Sequence, residues 1–595
     1  FQFMKERAKL NVTVFRRLLS YWKNYKGLFF FAVICTLFLA VLAPIRPMMV
    51  GHMVDAYIIQ GQDAKALLDW TLIIILILLG NGIFQFLQTY YANLFAQSII
   101  RDIRQELMKH VVSFRVQFFD RTPIGTLVTR LISDLEAITD VFSSGMMNIA
   151  GDLLMLVVVI VMMFVTNWQL SIMVLIPIPL LIIATRVFAR IVRKTFQQER
   201  EQVNRLNNFV QERLTGMSLV QLFNRQKEEY DRFKEINKKH RQAHINAVWA
   251  YSIFFPVVEI LSSLSIGLML VWAAIWVVGY DDDQIGQMYG EIFAFILWVQ
   301  MLYRPIRQLA EKFNILQRGT VRAERVFELL DRKVNIQSTG TKRDCNFDRR
   351  IQFKNVYFAY KDEDWVLKNI NLDIAPGETI AFVGATGAGK TSIVNLIGRF
   401  YDYQKGEITF GDTNILEIDL EHLRKNVAIV LQDVFLFSDT IYNNITLGDP
   451  EIDREQVIEA AKAVGAHEFI MRLPNGYDYE VGERGGVLSS GQRQLISFIR
   501  AYVYNPHILI LDEATSSVDS ESEEMIQNAT EKLTKGRTSM VIAHRLSTIQ
   551  NADKIVVLDK GEIKEIGSHA ELLEQGGYYC RLFDMQFSEQ LTRDE

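Results

Sequence analysis

Apolar residues are concentrated in the first half of the 595-residue chain, where six stretches are long enough to cross a lipid bilayer. Crossing a hydrocarbon core of roughly 30 Å takes about 20 helical residues. The six stretches are residues 27–49, 71–92, 141–165, 170–187, 249–278 and 292–309, the last being the least apolar. So many apolar runs leave too little polar surface to cover them in water, so this half is predicted to be a multi-pass membrane domain.

Lys and Arg are distributed unevenly between these stretches. The N-terminal segment and the connections 97–140 and 188–247 are rich in basic residues, whereas the other loops are short and neutral or acidic, as at Asp281 to Asp283. Basic loops stay in the cytoplasm, so the N-terminus and the second half are predicted to be cytoplasmic. The N-terminal segment lacks a small-residue cleavage site and is expected to be an amphipathic helix at the membrane surface. The three aspartates could form an extracellular gate or could simply be solvated.

The two basic connections are unusually long, and their apolar residues recur at helical spacing among many charges. The membrane helices are therefore predicted to continue into the cytosol. Each connection has a break, near Pro123 in the first and near Gly216 in the second, which permits either a short transverse helix or a turn.

Beyond a polar connector at 310–349, short β-rich runs alternate with helices over 350–595, which is the pattern of an α/β domain. The segment "TIAFVGATGAGKTSIVNLIGRF" predicts a strand, a glycine loop and a helix that begins near Lys390. Backbone N–H groups of such a loop surround phosphates, Lys390 reaches the β- and γ-phosphates, and Thr391 can bind Mg²⁺. The predicted fold is thus an all-α polytopic membrane domain of six transmembrane helices (1–309), followed by an α/β P-loop domain that binds ATP.

A second motif, "HILILDEATSS", predicts a buried parallel strand that ends in Asp512 and Glu513. The carboxyl end of such a strand lies beside the phosphate loop. Asp512 is therefore expected to hold Mg²⁺, and Glu513 to polarise the attacking water.

The order "GATGAGKT", "LSSGQ", "ILILDE" and "VIAHR" resembles the ATP-binding-cassette superfamily, and with six spans the chain resembles a bacterial multidrug-type ABC exporter half-transporter. The resemblance implies that two cassettes stack head to tail, so that the "LSSGQ" loop of one closes over ATP held by the other. It also implies that Tyr360 stacks on adenine, Gln432 senses Mg²⁺ and water, His544 contacts the γ-phosphate, and Asp519 lies in a loop that crosses to the partner. The predicted catalytic residues are Glu513, His544 and Lys390; the metal ligands are Thr391, Gln432 and Asp512; and the nucleotide-binding residues are Tyr360, Gly384, Thr386, Gly387, Ala388, Gly389, Lys390, Thr391, Ser392, Gln432, Ser489, Ser490, Gly491, Gln492 and Asp519.

One residue departs from the family pattern, because Ser490 stands where the signature loop usually has glycine. The residues that this chain gives to its own ATP site are intact, so a heterodimer with a different half-transporter is favoured over a homodimer. The formal net charge of −4 gives no reason to expect nucleic acid. Three widely spaced cysteines, Cys35, Cys345 and Cys580, form neither a metal motif nor a disulfide framework.

The resemblance implies ATP-driven export of an amphipathic small molecule by alternating access, from a bacterial inner membrane. Intramembrane polar and aromatic residues are candidates for the substrate pathway, namely Arg46, Asp152, Phe255, Glu259 and Trp298. Glu259, Ser263 and Gly267 follow one helix face at four-residue spacing. Alternatives are a lipid flippase and a cassette protein that gates a channel or regulates a partner; intact Glu513 and His544 argue against the last.

Overall fold

The computed structural model describes residues 12–61, 64–277, 282–332, 340–512, 520–543 and 545–591. The chain divides into two compact units. One comprises Phe1–Val112 and Pro123–Lys333, and the other comprises Ser113–Thr122 and Val334–Glu595. The short segment Ser113–Thr122 therefore belongs with the second unit, although it lies within the first half of the sequence.

Long helices dominate the first half of the chain. Three of them have 49, 38 and 52 residues, which is far longer than a bilayer requires, so the predicted continuation of the membrane helices is confirmed. In chain order the helices are α1 (Val12–Ser20), α2 (Lys26–Met53), α3 (Ala64–Val112), α4 (Val116–Arg121), α5 (Ile124–Leu131), α6 (Ser133–Asp140), α7 (Met147–Thr166), α8 (Trp168–Leu175), α9 (Ile178–Thr215), α10 (Met217–Leu222), α11 (Gln226–Val277) and α12 (Asp282–Leu330).

Short helices interrupt both long connections. Helix α4 ends just before Pro123, which precedes the first residue of α5. Gly216 ends α9, and the six-residue α10 follows it directly. At each predicted break the chain therefore forms a short helix and not a simple turn.

Five helical stretches of the described residues are long and apolar enough to cross a membrane: Thr13–Ile58, Ala64–Val112, Ile124–Thr166, Trp168–Thr215 and Gln226–Trp276. The sixth predicted span lies in α12, which is less apolar because it contains Gln300, Arg304 and Arg307. Its apolar residues are buried among other helices, as Phe295 and Val299 show with 0% exposure. A helix that packs against protein needs fewer apolar residues than one that faces lipid.

A polar network joins three membrane helices inside this bundle. The Ser265 hydroxyl on α11 lies 2.6 Å from the Tyr303 hydroxyl on α12 and 3.1 Å from the Val174 carbonyl on α8. Both Ser265 and Tyr303 are buried. Val174 lies in the last turn of α8, three residues before Pro177 at the start of α9, so the network supplies a hydrogen bond to a carbonyl next to the interruption of the helix.

The second unit is an α/β domain built on two sheets. Its strands are β1 (Ile351–Ala359), β2 (Trp365–Ile374), β3 (Thr379–Val383), β4 (Lys405–Phe410), β5 (Thr413–Asn414), β6 (Val427–Val430), β7 (Ile508–Asp512), β8 (Thr538–Ile542), β9 (Lys554–Asp559) and β10 (Glu562–Gly567). Its remaining helices are α13 (Lys390–Ile397), α14 (Leu420–Asn426), α15 (Ile441–Thr446), α16 (Arg454–Val464), α17 (His467–Arg472), α18 (Ser490–Val503), α19 (Ser520–Thr534), α20 (Leu546–Gln550), α21 (His569–Glu574) and α22 (Tyr578–Leu591).

The larger sheet has the order β10-β9-β3-β8-β7-β6. Every pair in it is parallel except β9 with β10, so the carboxyl ends of β3, β8, β7 and β6 meet at one edge. The smaller sheet, β2-β1-β4-β5, is antiparallel. One apolar cluster joins residues of both sheets and the buried face of α13, which fixes that helix directly beyond the end of β3.

Candidate ATP site and membrane pathway

The glycine loop between β3 and α13 has a backbone that only glycine tolerates at two positions. Gly384 has φ +151°, and a Cβ there would overlap the carbonyl oxygen of Leu558. Gly389 has φ +105°, and a Cβ there would lie 2.7 Å from Leu367 Cδ2. These positions therefore require glycine for reasons of both conformation and space. The exposed residues of the loop include Thr386 and Gly387, whereas Ala388 is buried beneath it.

Lys390 begins α13 and turns back over the loop. Its Nζ atom donates hydrogen bonds to the carbonyl oxygens of Gly384, at 2.6 Å, and Ala385, at 3.2 Å. The side chain is only 8% exposed, and burial lowers the pKa of its ammonium group. A buried cation beside a glycine loop, at the positive end of a helix, fits a polyphosphate.

The predicted metal ligands lie around the same sheet edge. Asp512 is the last residue of β7, and burial raises the pKa of its carboxyl group, as does Asp433, while the charge of Lys390 lowers it. Gln432 follows β6 and is exposed, and Thr391 is exposed at the first turn of α13. One carboxylate, one amide and one hydroxyl are oxygen donors of the kind that Mg²⁺ prefers.

Tyr360 lies next to α13, the helix that follows the glycine loop. Its hydroxyl group is 3.1 Å from Ser392 Oγ and accepts a hydrogen bond from Asn395 Nδ2 at 3.1 Å, both on α13. Its ring meets the ring of Tyr401 edge to face, with centroids 4.9 Å apart. The structure thus brings Tyr360 and Ser392 together with the glycine loop.

The "LSSGQ" element forms the start of α18 through a capping box. Ser489 Oγ accepts a hydrogen bond from the Gln492 backbone N–H, and Gln492 Oε1 accepts one from the Ser489 backbone N–H. The spacing S-x-x-Q is the sequence signal for this motif, which the sequence analysis overlooked. Ser489 Oγ keeps its own proton to donate outward. Ser490 is exposed at the first helical position, while Gly491 is buried.

Three predicted residues of the ATP site, Glu513, Asp519 and His544, lie outside the described residues. The aspartate cluster that the sequence suggested as a gate lies partly outside the described residues, because Asp281 is not described.

Two of the five pathway candidates lie on the exposed face of α11. Glu259 and Phe255 are one helical turn apart, and the Phe255 side chain is 53% exposed. Ser263 and Gly267 continue the same exposed face, and a Cβ added at Gly267 would meet no atom within 4 Å. The opposite face of α11, with Phe254, Val258 and Leu261, is buried in the helical bundle.

The other three candidates have different surroundings. Trp298 is 0% exposed, and its Nε1–H donates to the Pro44 carbonyl at 2.9 Å, so this residue joins α12 to α2 and does not line an open surface. Asp152 forms an ion pair with Lys312 on α12, a partner that the sequence analysis did not identify. Arg46, between Pro44 and Pro47 on α2, is half-buried.

Comparisons with known proteins agree with this architecture. Residues 29–301 match the family model of the ABC transporter transmembrane region, and residues 367–516 match that of the ABC transporter. The protein YknV of Bacillus subtilis, named an ABC transporter ATP-binding protein, is 36% identical over 96% of this chain and 94% of its own length. This chain belongs to the ABC transporter family.

Two further relatives align over nearly the whole of this ABC transporter. An ATP-dependent lipid A-core flippase of Syntrophus aciditrophicus is 36% identical over 98% of this chain and 96% of its own length. YgaD of Bacillus subtilis, named for multidrug export, is 35% identical over 96% of this chain and 99% of its own length. The chain is therefore a multi-pass membrane protein whose cassette binds ATP and couples its hydrolysis to transport.

Proposed function

We propose that this chain is one half of a dimeric, Mg²⁺-dependent ABC exporter that moves amphipathic molecules out of the cytoplasm or the inner leaflet of a bacterial inner membrane. The observation that carries the proposal is the fusion, in one chain, of a helical membrane bundle and a cassette with a complete phosphate loop. The names of the bacterial relatives support export in particular.

The residues of the ATP site then have separate tasks. The glycine loop and Lys390 bind the phosphates, because the Lys390 ammonium can exchange two loop carbonyls for phosphate oxygens. Thr391, Gln432 and Asp512 would hold Mg²⁺, which neutralises charge on the β- and γ-phosphates when it is bound. Ser489 would donate its hydroxyl proton to the nucleotide of the partner cassette, while Gln492 fixes that hydroxyl through the capping box.

The exposed face of α11 supports an amphipathic substrate. A carboxylate within a membrane span is costly to bury in lipid and is expected to face a polar cavity or a ligand. Glu259 lies beside the exposed ring of Phe255, so the same face offers a charge and an aromatic surface. An organic cation with an apolar body would match both groups.

Transport by the reconstituted protein tests this function. In proteoliposomes, ATP and Mg²⁺ should drive the movement of an amphipathic cationic dye, and Glu259→Gln should raise the dye concentration for half-maximal ATPase stimulation by about tenfold, equivalent to about 1.4 kcal/mol. Ser263→Ala, one turn away, is the matched control and should leave this value unchanged. ATP-dependent movement of a labelled lipid without any dye movement would instead favour a flippase, the activity in the names of several relatives.

The dimer is the second part of the proposal, and Ser490 favours a heterodimer. Ser490 is exposed at the first position of α18, so its side chain has little effect on the folding stability of this chain. Any effect of the serine must then fall on the nucleotide of the partner cassette. We expect the chain alone to hydrolyse ATP at least about tenfold more slowly than the same chain copurified with a second half-transporter. A fully active dimer of identical chains, found by particle mass and ATPase rate, would contradict the heterodimer.

A further inference from the structure

The segment 115–121, which includes α4, is bound to the cassette by charged groups at both of its ends. Arg115 Nη1 lies 3.0 Å from Asp402 Oδ2. Asp120 accepts a hydrogen bond from the Tyr401 hydroxyl, and the Arg121 guanidinium donates to the backbone carbonyl of Tyr360. All these residues belong to one compact unit.

The contacts of Asp120 and Arg121 are made with two neighbouring aromatic residues, Tyr401 and Tyr360. The rings of Tyr360 and Tyr401 pack edge to face at 88°, and Phe358 packs edge to face against each of them. The Tyr360 hydroxyl in turn contacts Ser392 and Asn395 on α13. An unbroken series of direct contacts therefore runs from segment 115–121 through the two tyrosines to the helix that binds phosphate.

A cavity of about 470 Å³ is lined jointly by this segment and the two tyrosines. Its lining includes Gln117, Asp120, Arg121, Tyr360, Asn395 and Tyr401. The volume is within the range of small-molecule sites, and the lining combines two aromatic rings with hydrogen-bonding groups. Burial and the Asp120 carboxylate raise the pKa of Tyr401, so its hydroxyl keeps the proton that it donates to Asp120.

We propose that Arg121 and Asp120 are positioning residues for nucleotide recognition, because they fix Tyr360 and Tyr401 so that the base of the bound nucleotide packs against Tyr360 at the edge of this cavity. This inference rests on the proposed role of Tyr360 in binding adenine. Segment 115–121 then controls affinity for the base and leaves affinity for the phosphates unchanged. The phosphates are bound by different residues, those of the glycine loop and Lys390.

Binding of ADP and of tripolyphosphate separates these two contributions. Both ligands can be titrated against the full-length protein in detergent by competition with a fluorescent ADP analogue, without any turnover. Arg121→Met keeps the apolar stem but removes the donor, and Tyr401→Phe removes the hydroxyl. Each should weaken ADP binding about fivefold and leave tripolyphosphate binding unchanged, and Arg121→Lys should restore most of the ADP affinity.

The matched control is Arg115→Met. It removes the ion pair with Asp402 at the other end of the same segment, without a contact to either tyrosine, and should leave ADP binding as in the parent protein. Equal losses for ADP and tripolyphosphate, an unchanged ADP affinity in the Arg121 and Tyr401 variants, or a loss in the Arg115 variant equal to that of Arg121→Met would each overturn the proposal.

A further variant, Tyr360→Ala, tests the premise that Tyr360 binds the base separately from the positioning role of Arg121 and Asp120. If Tyr360→Ala fails to change the ratio of ADP to tripolyphosphate affinity, Tyr360 does not bind the base, and the premise itself is wrong. If Tyr360→Ala changes that ratio but Arg121→Met does not, only the positioning role is wrong.

Discussion

Replacement of Glu513 by glutamine is expected to lower the ATP turnover of the assembled transporter by about 10²- to 10⁴-fold, which is the usual contribution of a general base. ATP binding should persist, because the glycine loop and Lys390 remain intact. Glutamine keeps the size of the side chain but cannot accept a proton from water. The measurements are the steady-state ATPase rate and the dissociation constant for ATP.

Lys390→Ala is the informative comparison for this variant. It removes the ammonium that contacts the phosphate loop, so it should weaken ATP binding as well as turnover. Near-normal hydrolysis by Glu513→Gln would show that another group activates the water. Loss of ATP binding in Glu513→Gln, equal to that of Lys390→Ala, would show that Glu513 has a role in the architecture of the site.

The sequence predicted local structure well where a motif demands a particular backbone. The glycine loop is such a case, because Gly384 and Gly389 have conformations and close neighbours that exclude other residues. Likewise, the continuous apolar run of β7 predicted a buried parallel strand that ends in Asp512. Both features depend on residues that are adjacent in sequence, so a single chain contains the whole signal.

Contacts between residues far apart in sequence could not be predicted in the same way. Trp298 was a pathway candidate because aromatic side chains in membrane spans can line cavities, yet it is buried and donates a hydrogen bond to the Pro44 carbonyl. Asp152 likewise has a partner, Lys312, that is 160 residues away. Helical periodicity gives the face of one helix but not the helix that packs against it. Glu259, Ser263 and Gly267 required only that periodicity, and they share one helix face as expected, which is exposed.

Segment 115–121 is a further example of a contact that the sequence concealed. The sequence assigns no partner to the charged residues Arg115, Asp120 and Arg121, which lie in a connection between membrane helices. Their partners lie more than 200 residues later in the cassette, where Tyr360 follows β1 and Tyr401 and Asp402 lie between α13 and β4. Only the fold shows that this connection contacts the aromatic residues beside the phosphate-binding helix.

Asp512→Asn is expected to abolish most Mg²⁺-dependent ATP hydrolysis, by about 10²-fold or more, and yet to make the nucleotide-free protein more stable at neutral pH. Burial raises the pKa of Asp512 above its value in the unfolded chain, and the attraction of Lys390 is the smaller effect. The stability linked to this group is therefore fully present below the unfolded pKa and is lost as the pH rises through the raised folded pKa. Asparagine removes that loss, so the melting temperature of the variant should exceed that of the parent by an amount that grows with pH until the Asp512 carboxyl group of the folded parent is fully ionised.

Asp439→Asn is the control for this measurement, because it should lower the melting temperature where Asp512→Asn raises it. Hydrogen bonds from the Asn443 side chain and the Thr440 backbone lower the pKa of Asp439, so its stabilising contribution is present at neutral pH and is lost on acidification. The two variants should therefore diverge in melting temperature as the pH rises.

Saturating ATP with Mg²⁺ should stabilise the parent, by about 2.7 kcal/mol at 100 times the dissociation constant, and should stabilise Asp512→Asn much less. A lower melting temperature for nucleotide-free Asp512→Asn at pH 8 would mean that attraction to Lys390 outweighs the cost of burying the Asp512 carboxylate.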